Sequence, residues 1–385
     1  MNRSALLLLS TLAVSGGAVH AQDTHLERAQ RVLSETPLID GHNDLPWAIR
    51  NSESAPHDVR APDHDLRTHT PFHTDIDRLR AGMVGAQFWS VYIPYEAVEE
   101  GAAKVQLEQI DIALQVIDRY PDVFELALDA SDVERSFGGG KIASLLGMEG
   151  GHAIENSLGS LRAFHAMGVR YMTLTHNGTL DWADSCCDDA RNGGLTEFGR
   201  EVVREMNRMG MLVDLSHTST ETMNDALDVA EAPVIWSHAS ARGVHDHARN
   251  VPDQVLRRLP DNGGVVMVTF VPGFVTESEQ ATLADVADHI DHVANVAGVD
   301  HVGIGSDFDG IDSTPVGLED VSTYPALFAE LSRRGWSEED LAKLAGENVL
   351  RVMRESEAVA RRLQRERPPS TKTIEELDRG ISDDR

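Results

Sequence analysis

Six apolar runs in this sequence end at, or just before, a side chain that can bind a metal ion or carry a proton. The run Pro37–Ile39 leads into Asp40, His42 and Asp44. The other five end on Glu149, His176, His217, His238 and Asp307. Short apolar runs separated by helical segments are typical of buried parallel strands. In a (β/α)8 barrel the C-terminal strand ends meet at one mouth, where active sites lie. We therefore predict an α/β fold, a single (β/α)8 TIM-type barrel, with a two-metal hydrolase site at these strand ends.

The run that leads into His42 and Asp44, and the run that ends on Glu149, supply candidate metal ligands. His42 and Asp44 are alternate residues, so their side chains can point the same way and hold one ion. A turn in which Asp44 is only a cap is the alternative. Glu149 follows a buried run and is flanked by Gly150, and a buried carboxylate is costly unless it is paired or ligated. Its two oxygens could bridge two ions about 3.5–4 Å apart, as in two-metal hydrolysis.

His217 and His238 end consecutive apolar runs of matching texture, VDLSH and VIWSH. A single such histidine is more often a hydrogen-bonded core residue, but two in equivalent places indicate paired imidazole ligands for zinc or a similar ion. The five candidates then form two sites, with His42, Asp44 and Glu149 at one ion and with Glu149, His217 and His238 at the other. Each site keeps a position for a shared hydroxide. His152 is interpreted as a structural histidine.

Three further residues suit the substrate. His176 could donate to a developing oxyanion, and Asp307 could carry a proton from the metal-bound water to a leaving amine. Arg249 could hold a substrate carboxylate in a bidentate manner, although a surface salt bridge is an equal alternative. Asp309 is interpreted as a turn residue.

Periodicity supplies the elements that would position these residues. Strands are predicted near residues 37–40, 84–93, 142–148, 169–175, 211–215, 233–237, 264–271 and 301–306. Apolar residues recur at helical spacing in 195–209 and 283–297, and less cleanly in 103–119. Repeated strand–helix alternation predicts a closed parallel barrel. The long polar segments 51–75 and 177–194 are predicted to be functional loops.

The N-terminal residues indicate export, and the charged C-terminal tail indicates that no lipid anchor is attached there. A positive start, an apolar stretch from Ala5 to Val19 and small residues before Gln22 predict a signal peptide over residues 1–21. The apolar stretch is too short for a transmembrane segment. The barrel domain is then 22–365, followed by a charged tail, 366–385, on the surface or partly disordered. We therefore predict a periplasmic or secreted protein without a lipid anchor.

Composition excludes one class of partner. The chain has 34 Lys and Arg against 63 Asp and Glu, a net charge of −29. Such a surface repels phosphate backbones, so no nucleic acid is expected to bind. The two cysteines, Cys186 and Cys187, are adjacent. They are interpreted as free thiols in a loop, with intermolecular pairing as the alternative.

Longer motifs resemble the membrane (renal) dipeptidase family of binuclear zinc peptidases. They include IDGHNDLPW, GMEGGHAIENSLGSLRAFHAMGVRYMTLTHN, VDLSH, APVIWSH, RNVPD and IGSDFDG, in order over nearly the whole chain after the signal peptide. The resemblance implies two Zn²⁺ bridged by Glu149, with the metal ligands His42, Asp44, Glu149, His217 and His238. It places the substrate residues at His176, Arg249 and Asp307, and it implies a homodimer.

The activity that the resemblance implies is hydrolysis of dipeptides by a metal-bridging hydroxide, with tolerance of a D-residue or dehydro-residue on the C-terminal side. Another binuclear amidohydrolase, such as an N-acyl amino acid deacylase, would use the same barrel and metals. A non-catalytic periplasmic binding protein is a further alternative. The chain departs from the family at Phe270-Val271-Pro272, where mammalian members have Phe-Tyr-Asn, so one pocket wall differs.

Overall fold

A computed structural model describes residues 16–99 and 101–378 of the chain. Within these residues the strands, all parallel to their neighbours, are β1 (Leu38–Asn43), β2 (Val84–Ser90), β3 (Phe124–Leu126), β4 (Ile142–Glu149), β5 (Val169–Thr173), β6 (Leu212–Asp214), β7 (Ile235–Trp236), β8 (Val265–Val268) and β9 (Val302–Ile304). The sheet runs β2-β1-β9-β8-β7-β6-β5-β4, and a β2–β4 pairing closes it. The predicted eight-stranded barrel is confirmed.

The short strand β3 lies outside this closed barrel. It pairs with Ile142–Ser144 at the start of β4, before β5 takes over that edge from Leu146 onward. The sequence analysis missed β3 because three residues are too few for a periodic signal. Conversely, the predicted run 264–271 is too long, since β8 ends at Val268. The chain leaves the ladder there as it enters the barrel mouth.

Helices surround the barrel. They are α1 (Gly16–Glu35), α2 (Leu45–Arg50), α3 (Ile76–Ala81), α4 (Ala102–Arg119), α5 (Ala130–Gly138), α6 (Leu158–Ala166), α7 (Glu197–Met209), α8 (Thr220–Val229), α9 (Asp253–Leu256), α10 (Leu259–Asn262), α11 (Pro272–Val275), α12 (Leu283–Ala297), α13 (Tyr324–Arg333), α14 (Glu338–Ala342), α15 (Asn348–Glu366) and α16 (Ile374–Leu377). The three periodic segments of the sequence correspond to α4, α7 and α12.

Local sequence sets the ends of these helices. The Thr196 side chain accepts from a backbone amide of the first turn of α7, and Gly210 follows its last turn with a φ of 81°. At α12, Thr282 and Asp285 form a reciprocal capping box. Side-chain caps satisfy amides that have no partner inside the helix. Glycine ends a helix readily because it adopts the left-handed conformation without a steric penalty.

Two apolar layers hold the barrel together. Alternate strand residues, among them Phe88, Leu145, Tyr171 and Met267, form a buried cluster inside the barrel. The residues between them face the helices and join a larger cluster. Every residue of β1, β2 and β4 is buried, as expected for parallel strands covered on both faces. The strand ends that carry the polar side chains of the mouth therefore belong to a closely packed, buried barrel.

The ends of the chain bear on the predicted domain limits. Residues 1–15 of the predicted signal peptide, and 379–385 of the tail, lie outside the described residues. The tail up to Asp378 lies against α7, where the Asp378 carboxylate accepts from the Thr196 hydroxyl at 2.8 Å and from the Phe198 amide at 3.2 Å. In the described part of the chain, no helix combines the length and apolarity that a membrane crossing needs.

Candidate active site

A cavity of about 620 Å³ opens at the C-terminal ends of the barrel strands. Its wall includes six of the eight predicted site residues: Asp44, Glu149, His176, His217, Arg249 and Asp307. The other two, His42 and His238, are buried at its floor. The structure thus brings all eight residues together from positions spread along most of the chain. This volume is in the range of cavities that bind small molecules.

Glu149 lies at the centre of the site, and its two oxygens face different partners. Oε1 is 3.0 Å from His217 Nε2 and 3.3 Å from His238 Nε2. Oε2 is 3.5 Å from His42 Nε2, which is itself 3.2 Å from Asp44 Oδ2. Glu149 comes from the end of β4, where a fully buried strand gives its side chain little freedom. One carboxylate therefore connects two groups of potential ligand atoms.

Hydrogen bonds assign the same tautomer to the three imidazoles. The Tyr171 hydroxyl donates to Gly41 O at 3.2 Å, so it accepts from His42 Nδ1 at 2.8 Å. Asn177 Oδ1 accepts from His217 Nδ1 at 3.1 Å. In each ring Nδ1 carries a proton and bonds away from the cavity, so Nε2 is the nitrogen that faces the cavity.

His238 follows the same rule through a longer chain of hydrogen bonds. The Ser237 hydroxyl donates to Asp214 Oδ2 at 2.6 Å and accepts from His238 Nδ1 at 2.8 Å. Partners that hold the second ring nitrogen of a ligand histidine are typical of metal sites.

The arrangement fits metal ions, because electron-rich atoms converge with no hydrogen between them. His217 Nε2 and His238 Nε2 lie 3.0 Å apart beside a carboxylate. Burial, together with the charge of Arg249 at His217 and of His42 at His238, lowers the pKa of both rings well below the usual value, so protonation does not relieve the repulsion. Asp44 Oδ1 is buried and has no hydrogen-bond partner among the described residues. A divalent cation would satisfy all of these atoms.

Electrostatics at His42 point the same way. Burial by itself lowers the pKa of His42, but Tyr171, Asp44 and Glu149 outweigh burial and raise that pKa well above its usual value. The carboxylates thus draw positive charge to the point that His42 Nε2 faces. Three overlapping groups of ligand atoms, each within 4.8 Å, could hold an ion: His42, Glu149 and His238; Glu149, His176 and His217; and His42, Asp44 and Asp307.

Asp307 and His176 stand on opposite sides of these groups. Asp307 Oδ1 is 3.8 Å from His42 Nε2, and His176 Nε2 is 3.7 Å from Glu149 Oε1. Burial and the negative charges of Asp44 and Glu149 raise the pKa of Asp307 well above its usual value, against the opposing charge of His42. Burial lowers the pKa of His176. Asp307 is therefore suited to carry a proton, and His176 to donate a hydrogen bond as a neutral ring.

Arg249 is buried in the cavity wall and, among the described residues, has no carboxylate within ion-pairing distance. Its Nη2 donates to His238 O at 3.3 Å, and its guanidinium lies over the Phe274 ring at 5.1 Å. Nε and Nη1 are buried and have no hydrogen-bond partner in the part of the chain that the structure describes. A surface salt bridge, the alternative from sequence, therefore does not describe this residue. Two free donors on a buried cation favour an anionic ligand.

Backbone geometry at two of the strand ends is unusual. His217 and Asp307 have φ values of 63° and 70°, a conformation that costs energy in residues other than glycine and that clusters at functional sites. Gly310 lies close to the Asp44 and Asp307 carboxylates, and a Cβ there would collide with both. The turn IGSDFDG thus needs its last glycine for a close approach.

Some functional neighbours carried no signal in the sequence. Tyr171, Asn177 and Ser237, which hold the three imidazoles, are ordinary strand or loop residues by pattern. A serine precedes both His217 and His238, and that repeated Ser-His was the only available hint. Trp47, Tyr92, Phe274 and Cys187 also line the cavity.

The two long loops behave differently. Loop 177–194 supplies Asn177 and Cys187 to the cavity wall. Loop 51–75 is instead held beside the mouth by two hydrogen bonds between its His73 and Asp309. His73 N donates to Asp309 Oδ1 at 2.6 Å, and Asp309 N donates to His73 Nδ1 at 3.0 Å. Asp309 is therefore an anchor as well as a turn residue. His152 bonds to Ile93 O at 3.1 Å, in keeping with a structural role.

A (β/α)8 barrel whose mouth gathers buried imidazoles and carboxylates around a central glutamate defines a metal-dependent hydrolase. The chain matches the membrane dipeptidase family (peptidase family M19) over residues 26–367, and it belongs to that family as a metallo-dipeptidase.

Solved structures agree. The chain is similar to a metallopeptidase from Rhodobacter sphaeroides liganded with a phosphinate mimic of L-Ala-D-Ala, at 26% identity and a TM-score of 0.74, covering 83% of this chain and 99% of that one. It is similar to dipeptidase AC of family M19, at 28% identity and a TM-score of 0.74 with the same coverage. The probable dipeptidase PvdM from Pseudomonas aeruginosa shares the fold at 23% identity and a TM-score of 0.80, covering 88% and 100%.

Proposed function

We propose that this metallo-dipeptidase holds two divalent ions, zinc in the native protein, with Glu149 bridging them. His42 and Asp44 complete one site, and His217 and His238 complete the other. The observation that carries this assignment is the division of the Glu149 oxygens, with Oε1 beside His217 and His238 and Oε2 beside His42. When bound, two such ions supply an activated water and polarise the substrate carbonyl.

The remaining residues act on the substrate. Asp307 accepts a proton on the metal side of the cavity and passes it to the departing amine, a role supported by its position in the cavity wall, with Oδ1 3.8 Å from His42 Nε2. His176, as a neutral ring, donates to the oxyanion that develops on the scissile carbonyl.

Arg249 holds the terminal carboxylate of the dipeptide. Its two free donors and its burial support this role, since a buried guanidinium gains most from a bidentate anion. The ligand of the Rhodobacter relative mimics a dipeptide with a C-terminal D-residue. We extend that tolerance to this chain, which shares the fold of that relative.

A substrate panel tests the proposal. Purified protein is stripped with a chelator, reloaded with Zn²⁺, and assayed with L,L and L,D dipeptides, their C-terminal amides, and N-acetyl amino acids. We expect metal-dependent hydrolysis of the free dipeptides and weak hydrolysis of the amides. Hydrolysis of the N-acetyl compounds alone would identify a deacylase, and binding without turnover would identify a binding protein.

Arg249→Ala is the matched variant. It should raise KM far more than it lowers kcat, because the carboxylate contact is present in the ground state and the transition state alike. It should also lose the preference for the free acid over the amide. If wild type cleaves the amide as well as the acid, Arg249 does not bind the carboxylate.

We also propose that the protein is exported after cleavage before Gln22 and forms a homodimer. The composition of residues 1–21 supports export, and the family resemblance alone suggests the dimer. N-terminal sequencing of natively produced protein tests the first proposal, with a start at Met1 contradicting it. Light scattering on the same sample tests the second, and a monomeric mass would contradict it.

A further inference from the structure

The adjacent cysteines lie on the loop that follows His176, and hydrogen bonds hold that loop against the site. Cys186 N donates to His217 O at 2.8 Å. The Ser185 hydroxyl donates to His176 O at 2.6 Å and accepts from Cys187 N at 3.1 Å. The two thiols are therefore fixed relative to the strand ends that carry His176 and His217.

The two sulfurs are not equivalent. They lie 2.8 Å apart, with Cys187 exposed and Cys186 partly buried. Cys187 lines the substrate cavity together with Asn177, His247 and Arg249. A reagent that enters the cavity thus meets Cys187 first, and Cys186 stands within reach of whatever forms there.

We propose that Cys187 is a modification site for small-molecule disulfides inside the substrate cavity, with Cys186 as the thiol that resolves the adduct. The Cys187 thiolate attacks one sulfur of the small disulfide, which breaks its S–S bond and releases one thiol. Cys186 then attacks the Cys187 sulfur, forms the Cys186–Cys187 disulfide and releases the second thiol. Overall, the protein loses two hydrogens and the small disulfide gains them as two thiols.

The physical environment favours this order of events. Disulfide exchange requires that the attacking thiol be accessible, and resolution of the adduct requires a second thiol nearby. Of the two cysteines, only Cys187 lies in the cavity wall. Adjacent residues have Cα atoms about 3.8 Å apart, shorter than the about 4.4–6.8 Å that most disulfides span. The final disulfide is therefore strained and readily reduced, so it forms only while oxidised glutathione is in large excess over the reduced thiol, and a thiol reductant reverses it.

An adduct on Cys187 occupies space next to Arg249. A glutathionyl group there competes with the substrate carboxylate for the same wall of the cavity. In Cys186→Ser, where the adduct on Cys187 is retained, we expect KM for the dipeptide to rise and kcat to change little. This kinetic consequence rests on the proposed role of Arg249, whereas the chemical modification itself does not.

The experiment treats the zinc-loaded protein with a large excess of oxidised glutathione, in the absence of reduced glutathione, and measures intact mass, followed by peptide mapping. Wild type should lose two hydrogens and keep no glutathione. Cys186→Ser should keep one glutathione per chain, on Cys187, and Cys187→Ser should keep none. For each variant, the rate of dipeptide hydrolysis after treatment is compared with the rate of the same variant before treatment. Metal content is measured to show that zinc is retained.

Three results would overturn the proposal. In the first, native wild type is not modified although both thiols react in denaturant. In the second, wild type carries the adduct on Cys186 rather than on Cys187. In the third, wild type keeps a lasting adduct and forms no internal disulfide. Glutathionylated Cys186→Ser with an unchanged KM would instead contradict the position of the adduct beside Arg249. Because mass is read without any dipeptide, a failure here is distinguishable from a failure of the proposed dipeptidase activity.

Discussion

Replacement of Tyr171 by Phe removes a single oxygen from beneath the candidate metal site. The Tyr171 ring is fully buried inside the barrel and packs 5.1 Å from the Phe88 ring. Its hydroxyl accepts from His42 Nδ1 at 2.8 Å and donates to Gly41 O at 3.2 Å. Phenylalanine keeps the ring and its packing, so the change isolates the hydrogen bonds that orient His42.

The expected size of the effect follows from those two bonds. A buried donor or acceptor left without a partner costs about 1–3 kcal/mol. His42 can avoid that cost by moving its proton to Nε2, but it then loses the lone pair that faces Asp44 and Glu149. Loss of such a partner of a ligand histidine typically lowers metal affinity about 10–100-fold, which corresponds to about 1.4–2.7 kcal/mol.

The assay is a competition titration of zinc against a calibrated chelator, combined with urea unfolding of metal-stripped protein. Tyr120→Phe is the matched control, because the buried Tyr120 hydroxyl also has two partners, Leu66 N at 2.9 Å and Asp65 Oδ1 at 3.0 Å, away from the mouth. Both variants should lose stability, and only Tyr171→Phe should lose zinc affinity. An unchanged zinc affinity in Tyr171→Phe, or an equal loss in Tyr120→Phe, would refute the reasoning.

Three further predictions concern single side chains. Glu149→Gln should abolish activity and lower zinc content by at least one ion per chain, because an amide cannot bridge as an anion; elemental analysis showing two ions would contradict this. Asp307→Asn should lower kcat strongly with zinc content intact, and a normal kcat would remove its role as proton carrier. His289, fully buried between Ala241 N at 3.0 Å and Val275 O at 2.9 Å, has its pKa lowered by burial to about 4. The ring binds a proton more readily in the unfolded chain, where its pKa is about 6.5, than in the folded protein. The neutral His289 ring therefore makes its full contribution to the free energy of unfolding above about pH 6.5. That contribution falls by about 1.4 kcal/mol per pH unit as the pH is lowered toward 4. In urea unfolding the gap between wild type and His289→Gln should therefore narrow as the pH falls, and a constant gap would count against it.

The order of elements and the place of the site could be predicted from sequence because both depend on local patterns. Apolar runs with helical segments between them specify strand–helix alternation. The handedness and closure of such a chain leave few topologies. Once the barrel is predicted, a residue such as His238 at the end of a strand must lie at the mouth, however distant His42 is in sequence.

The limits of local pattern appear at short or irregular elements. Strand β3 has only three residues, too few to produce a periodicity. The strand predicted at 233–237 is present, but only Ile235 and Trp236 belong to it. The sequence showed that the two loops are long and polar, but it did not show which of them contributes residues to the cavity. Loop 177–194 reaches the cavity and loop 51–75 is held by Asp309, a difference that depends on contacts between distant residues.

The sequence by itself determined which chemical groups this protein has: the imidazoles, the carboxylates, Arg249 after β7, and the barrel that gathers them. Only the tertiary structure decided how they are used. It set which Glu149 oxygen faces which histidine, which hydroxyl or amide holds each imidazole proton, and that Arg249 is buried without an acidic partner. These features depend on side-chain directions and on distances of a few ångströms between residues far apart in the chain, and sequence spacing does not encode either quantity.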